Sequence, residues 1–92
     1  MISKLEKEFY EAILSLKTES ECQKFFLDAC TKKEIIEMSQ RLRVAKLLKE
    51  GKSYLEVVKE TGCSTATISR VSKCLQSDGG YQLILKRLEG KE

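Results

Sequence analysis

The amino-acid sequence predicts an all-α protein, and three observations carry that prediction. Apolar residues recur at helical spacings of three and four along the chain, strand-like alternation is absent, and Ser/Thr-x-x-Glu signatures stand where apolar runs begin. No proline interrupts any run, and Gly51, Gly62, Gly79 and Gly80 fall between the periodic stretches. The 92 residues are 41% hydrophobic and 34% charged, enough for one folded domain over residues 1–92 and too few for a second core.

Six helices follow in order. Leu5, Phe9, Ile13 and Leu16 define a first helix from Ser3 to Leu16, and Ser3 with Glu6 reads as a capping box at its start. A second, from Glu21 to Ala29, gathers Cys22, Phe25, Phe26 and Ala29 on one side. Thr31 with Glu34 opens a third that runs to Glu50, with Ile35, Met38, Leu42, Ala45 and Leu48 inward and Ile36 and Leu47 widening the stripe. Gly51 stops it, because glycine takes the left-handed conformation without steric cost. Ser53 with Glu56 caps a fourth helix ending at Gly62, and Ser64 caps a fifth ending near Gln76. After a break at Gly79 and Gly80, Tyr81, Ile84, Leu85 and Leu88 line one side of a sixth.

The net charge of +3 is unevenly spread. Residues 1–31 hold four lysines against six acids, and residues 32–92 hold thirteen Lys/Arg against eight acids. The basic excess lies with the later helices, as expected where that half faces a polyanion. Cys22, Cys30, Cys63 and Cys74 form no C-x-x-C pair, and the chain has no histidine, so no metal and no cofactor is expected. With no signal peptide and no long apolar run, the expected setting is the reducing cytoplasm, without disulfides and without a membrane partner. Catalysis is unexpected: there is no imidazole, no Gly-rich phosphate loop and no acid cluster at catalytic spacing.

The stretch that carries chemistry is Tyr54 to Lys73, inside a helix-turn-helix from about Ser53 to Leu75. Such a unit needs two short helices locked by a tight turn and a small core. Val57, Thr61, Cys63, Ile68 and Val71 stand where that core needs compact or apolar groups, and Gly62 where the turn needs a positive φ. Val58 is bulky for the closest approach of the two helices. The second helix would lie in a major groove, with Ile68, Val71 and Leu75 inward and Thr65, Ala66, Ser69, Arg70 and Lys73 outward. Thr65 and Ala66 permit close approach to thymine methyls, Ser69 donates to base or phosphate, and Lys73 meets a phosphate as a point charge. Arg70 suits guanine or phosphate, and the capping Ser53 and Ser64 border the same surface. Arg43 and Lys46, with Lys49 beyond, form a row suited to the phosphate backbone.

From about Phe25 to Leu88 the chain resembles the Trp repressor superfamily, and within it a Trp-repressor-like branch. The resemblance rests on Thr65-Ala66-Thr67-Ile68-Ser69-Arg70, similar to the start of that family's recognition helix, and on Gln40-Arg41-Leu42-Arg43-Val44 with Leu47, Leu48 and Gly51. Thr31 with Glu34 resembles the threonine that opens the corresponding helix. The resemblance implies a six-helix Trp-repressor-like fold and an intertwined homodimer whose two reading heads meet half-sites about one helical turn apart on double-stranded DNA.

It also implies an effector pocket. Arg41, Arg70 and Thr67 match the arginines and threonine around the family's indole, and Thr31 lies in the same pattern. Val71 stands where the family has glycine and Cys74 where it has serine, so the valine side chain would occupy space the indole needs. Tryptophan is therefore not expected as the effector, and whether another small molecule binds stays open. Leu55 replaces a DNA-contacting arginine, and the segment from Gly51 to Gly62 is one residue shorter, so the operator sequence does not transfer. The expected function is a sequence-specific transcriptional regulator. The alternative is a helix-turn-helix that binds a partner protein without a DNA target of its own.

Overall fold

In a computed structural model that describes residues 1–90, six helices follow one another with no strand among the described residues. They are α1 (Lys4–Leu14), α2 (Glu19–Ala29), α3 (Lys32–Lys49), α4 (Tyr54–Thr61), α5 (Thr65–Leu75) and α6 (Gly80–Glu89). Lys91 and Glu92, the last residues of the expected domain, lie outside the described residues.

The caps set most boundaries. At α1, the Ser3 side chain accepts from the Glu6 amide while the Ser3 amide donates to the Glu6 carboxylate, at 3.1 and 3.3 Å. Thr31 with Glu34 and Ser53 with Glu56 repeat the arrangement at α3 and α4. Each box satisfies amide donors that the first helical turn cannot satisfy itself. Two expected boundaries shift. The first helix stops at Leu14, two residues before Leu16, because the Ser15 hydroxyl turns back onto the Ala12 carbonyl at 2.7 Å. The second begins at Glu19, two residues before Glu21, because Thr18 supplies the cap and accepts from the Glu21 amide.

The chain packs as two compact units divided between Ile35 and Ile36, inside α3. In the first, Phe9, Phe25 and Phe26 form an aromatic row with ring centroids 6.0 and 5.3 Å apart, yet no residue is buried. Leu5, Phe9, Tyr10, Leu14 and Leu27 are all exposed.

The second unit holds the core, made of Val44, Ala45, Leu47, Val57, Ile68, Val71 and Leu85. The inward face of α3 therefore differs from the expected stripe. Val44, outside that stripe, is fully buried, and Met38 and Ile36 within it are exposed. On α6 Leu85 is buried and Tyr81 packs against the core, but Ile84 and Leu88 stand half exposed. A period-3.6 pattern marks the apolar side of a helix but not which part of that side a short core can reach.

Candidate nucleic-acid interface

The α4–α5 pair is built from its core outward. Val57 on α4 and Ile68 and Val71 on α5 are buried together, with Val58, Cys63 and Leu75 packed around them. Val58 is accommodated half-buried, despite its bulk. The turn between the helices needs one residue in the left-handed region, and Gly62 supplies it at φ +73°. Its amide donates to the Val58 carbonyl at 2.9 Å, and the Thr61 hydroxyl donates to the Val57 carbonyl at 2.7 Å. Thr61 then accepts from the Cys63 amide at 3.2 Å, so one hydroxyl ties both sides of the turn. Thr61, expected as a compact core residue, is half-buried and serves the turn as a polar strut.

At the start of α5 the Ser64 side chain accepts from the Thr67 amide and donates to the Thr67 hydroxyl, at 3.2 and 3.1 Å. The first turn of α5 carries no acidic residue, whereas α1 to α4 each carry at least one. Its positive dipole end is therefore not neutralised by a side chain of its own. Thr65, Ala66, Arg70 and Lys73 are exposed along this helix, and Ser69 is half-buried between them and the core. Ser53 is exposed at the head of α4, where Glu56 closes its capping box. The Ser53 backbone amide donating to that Glu56 carboxylate, with a smaller contribution from the Ser53 side chain, holds its pKa below the ordinary glutamate value.

The two arginines of α3 diverge. Two residues along a helix is a turn of about 200°. Arg43 reaches α4, where its Nη2 lies 3.2 Å from Glu60 Oε2, and nearby Gln40 Nε2 donates to the Thr61 carbonyl at 3.4 Å. Arg41 instead lines a cavity of about 330 Å³ with Arg70, Val71, Cys74 and Tyr81. Lys46 lies on the rim of a separate cleft of about 440 Å³ between α3 and α6. The expected row of Arg43, Lys46 and Lys49 is thus one ion-paired arginine followed by two cleft-side lysines.

Four residues expected around an effector, Arg41, Arg70, Val71 and Cys74, meet at the smaller cavity. Thr67 is not among its lining residues, and its hydroxyl accepts from Ser64; Thr31 belongs to the first unit. Sequence reasoning missed Tyr81 as a wall of this cavity and Glu60 as the partner of Arg43. Tyr81 reads there as one more apolar position of the last helix. The pairing of residues 17 apart leaves no periodic signal.

The Trp repressor family profile, described as "Trp repressor protein", matches residues 4–89. The chain belongs to the Trp repressor family. It is 46% identical over 86 residues to the uncharacterised protein YerC of Bacillus subtilis (strain 168), covering 92% of this chain and 83% of that one. A TrpR-like protein from Eubacterium eligens superposes with a TM-score of 0.90 at 44% identity, over 98% of this chain and 94% of the other. A protein from Staphylococcus aureus assigned provisionally to the Trp repressors superposes at 0.91 with 45% identity, over 96% and 89%.

The six helices thus form an all-α Trp-repressor-like fold. In this Trp repressor family member Val71, only 2% exposed, is both a core residue and a wall of the arginine-lined cavity. No helix among the described residues is long and apolar enough to cross a membrane.

Proposed function

We propose that the chain is a sequence-specific regulator of transcription that binds double-stranded DNA as a homodimer and does not respond to tryptophan. The observation that carries this reading is the exposed face of α5. Thr65, Ala66, Arg70 and Lys73 stand outward from a helix without a single acidic residue, on a buried Val57–Ile68–Val71 base. Small groups at the start of the helix suit base edges and thymine methyls, and cations further along suit phosphates. The open dipole end of α5 favours a phosphate in the same place. Ser53, Ser64 and Ser69 supply neutral donors beside it, and Arg43 and Lys46 extend the phosphate contacts onto α3.

The homodimer reading is supported by the first unit, whose aromatic and aliphatic side chains include none that is buried. A unit without a buried core does not hold its helices in place alone, and a second copy is the simplest source of the missing surface. The chain is taken as one DNA-binding domain over residues 1–92, in a cytoplasmic setting. The cavity at Arg41, Arg70, Val71 and Cys74 is the proposed place for any effector.

Titration of a fluorescent random duplex against the purified protein at two salt concentrations tests the reading, with sedimentation equilibrium to count the copies. Salt-sensitive binding by a dimer is expected. A folded protein with no affinity for duplex at low salt would overturn it in favour of a protein-binding module.

A further inference from the structure

The chemistry that α5 offers is restricted. Along its 11 residues there is no carboxylate to accept from a cytosine amine and no side-chain amide to pair with an adenine edge. Arg70 and Lys73 bring only donors, which suit guanine or phosphate. What remains at the start of the helix is small: Thr65 and Ala66, both exposed, and Ser69, half-buried.

These three residues make one patch. At about 100° per residue, Ser69 falls about 40° from Thr65 and about 60° from Ala66, one turn further along. Its side chain leans back toward them, because Cα–Cβ bonds tilt toward a helix N-terminus. Two methyl groups, from Thr65 and Ala66, thus border one hydroxyl. The Thr65 and Ser69 hydroxyls have no partner among the described residues, so both stay available to a ligand.

Pyrimidines present two features side by side in the major groove. At C4 thymine carries an oxygen acceptor and cytosine an amine donor; at C5 thymine carries a methyl group and cytosine none. A serine hydroxyl donates one hydrogen and accepts on its lone pairs, so by rotating it satisfies either C4 group and does not tell them apart. The protein methyls do discriminate. A C5 methyl packed on Thr65 and Ala66 leaves water, whereas a bare C5 leaves those side chains without that contact.

We propose that Thr65, Ala66 and Ser69 form a reader of the pyrimidine 5-methyl group, with thymine its ordinary ligand and 5-methylcytosine an equivalent one. The inference rests on the regulator reading and deepens it. Affinity for an operator then rises when a cytosine at the read position is methylated, which is control through the DNA and not through a small molecule.

The probe is the duplex that the intact protein selects from a random pool, with each thymine altered singly. Deoxyuridine in place of thymidine removes only the methyl. A cytosine–guanine pair at the same position, with and without the C5 methyl, makes a second comparison that also changes one methyl alone. In both comparisons the methyl should tighten binding by about two- to fourfold for each reading head. Thr65→Ser combined with Ala66→Gly removes both protein methyls and should abolish both preferences. Ser69→Ala should weaken the methylated duplexes by about two- to tenfold and leave the methyl preference standing. Circular dichroism establishes that the variants fold, and the base comparisons need only the unaltered protein.

Three results would overturn the proposal. The first is uracil bound as tightly as thymine at every position. The second is 5-methylcytosine bound no tighter than cytosine where thymine outbinds uracil. The third is a methyl preference that survives in the Thr65→Ser, Ala66→Gly variant, which would place the methyl against another part of the protein. Retention of no duplex at all overturns the regulator reading together with this proposal, whereas duplex binding blind to the methyl overturns this proposal alone.

Discussion

Arg43 on α3 and Glu60 in the last turn of α4 share an ion pair, Nη2 to Oε2 at 3.2 Å, with both side chains 52% exposed. At that exposure the pair contributes about 0.2–1 kcal/mol, so a phosphate can displace the carboxylate at little cost. Glu60→Gln should therefore tighten DNA binding by up to about fivefold at low salt, by removing the competitor. Arg43→Ala should lower the slope of log affinity against log salt by about 0.9. Duplex titrations on the two variants check this, and no change in either would make Arg43 a strut between helices.

Lys73 and the pair Thr65 and Ser69 should separate phosphate gripping from base reading. Lys73→Ala should weaken binding to specific and random duplexes alike and reduce the salt slope by about 0.9. Replacing Thr65 and Ser69 with alanine should cost about 1–3 kcal/mol on the preferred site and little on random DNA. Competition binding with both duplexes reads the difference. Equal losses on both would mean that neither residue reads bases.

The core under α4 and α5 should be the most sensitive part of the fold to truncation. Ile68 is fully buried against Val57 and Val71, and Ile68→Ala removes most of its side chain from a core of seven buried residues. A loss of about 2–5 kcal/mol is expected in urea unfolding. Gly62→Ala meets no neighbour within 4 Å, so its cost is the backbone alone: about 1–2 kcal/mol for a side chain at φ +73°.

Those same positions show what was legible in the sequence. Ser53 with Glu56, Ser64 and Gly62 are local devices, each acting within four residues, and the boundaries of α4 and α5 were readable from them. The Gly51 stop was equally readable: its amide and that of Lys52 donate to Leu48 and Leu47, with Gly51 at φ +91°. Thr18 gives no comparable signal as a cap, because no apolar residue follows it until Cys22. The inward face of α3 around Val44 does not show in the sequence, because apolar residues nearly encircle that helix and only its packing chooses among them. Arg41, Arg70, Val71 and Cys74 could be grouped through the family resemblance, but Tyr81 could not. Its place in the cavity depends on the angle at which α6 returns.

Acid should weaken the helix starts in a defined direction. The Glu34 and Glu56 carboxylates accept hydrogen bonds from Thr31 and Ser53, and both pKa values fall below the ordinary glutamate value. A carboxylate whose pKa is lowered on folding adds stability that is fully present above its unfolded value. That contribution is lost as pH falls through the lowered folded value. Unfolding midpoints should thus decline from about pH 5 downward, and Glu56→Gln should show a shallower decline than the parent. A variant with the same pH profile as the parent would remove Glu56 from this linkage.

Selection from a pool of random duplexes asks whether α5 reads DNA from a paired molecule. The protein is equilibrated with the pool at low and moderate salt, and the retained duplexes are sequenced. Enrichment of a near-palindromic site whose half-sites lie about one helical turn apart, about 34–36 Å, is expected. Retention of no duplex by the folded protein, or of duplexes without any shared sequence, would contradict it.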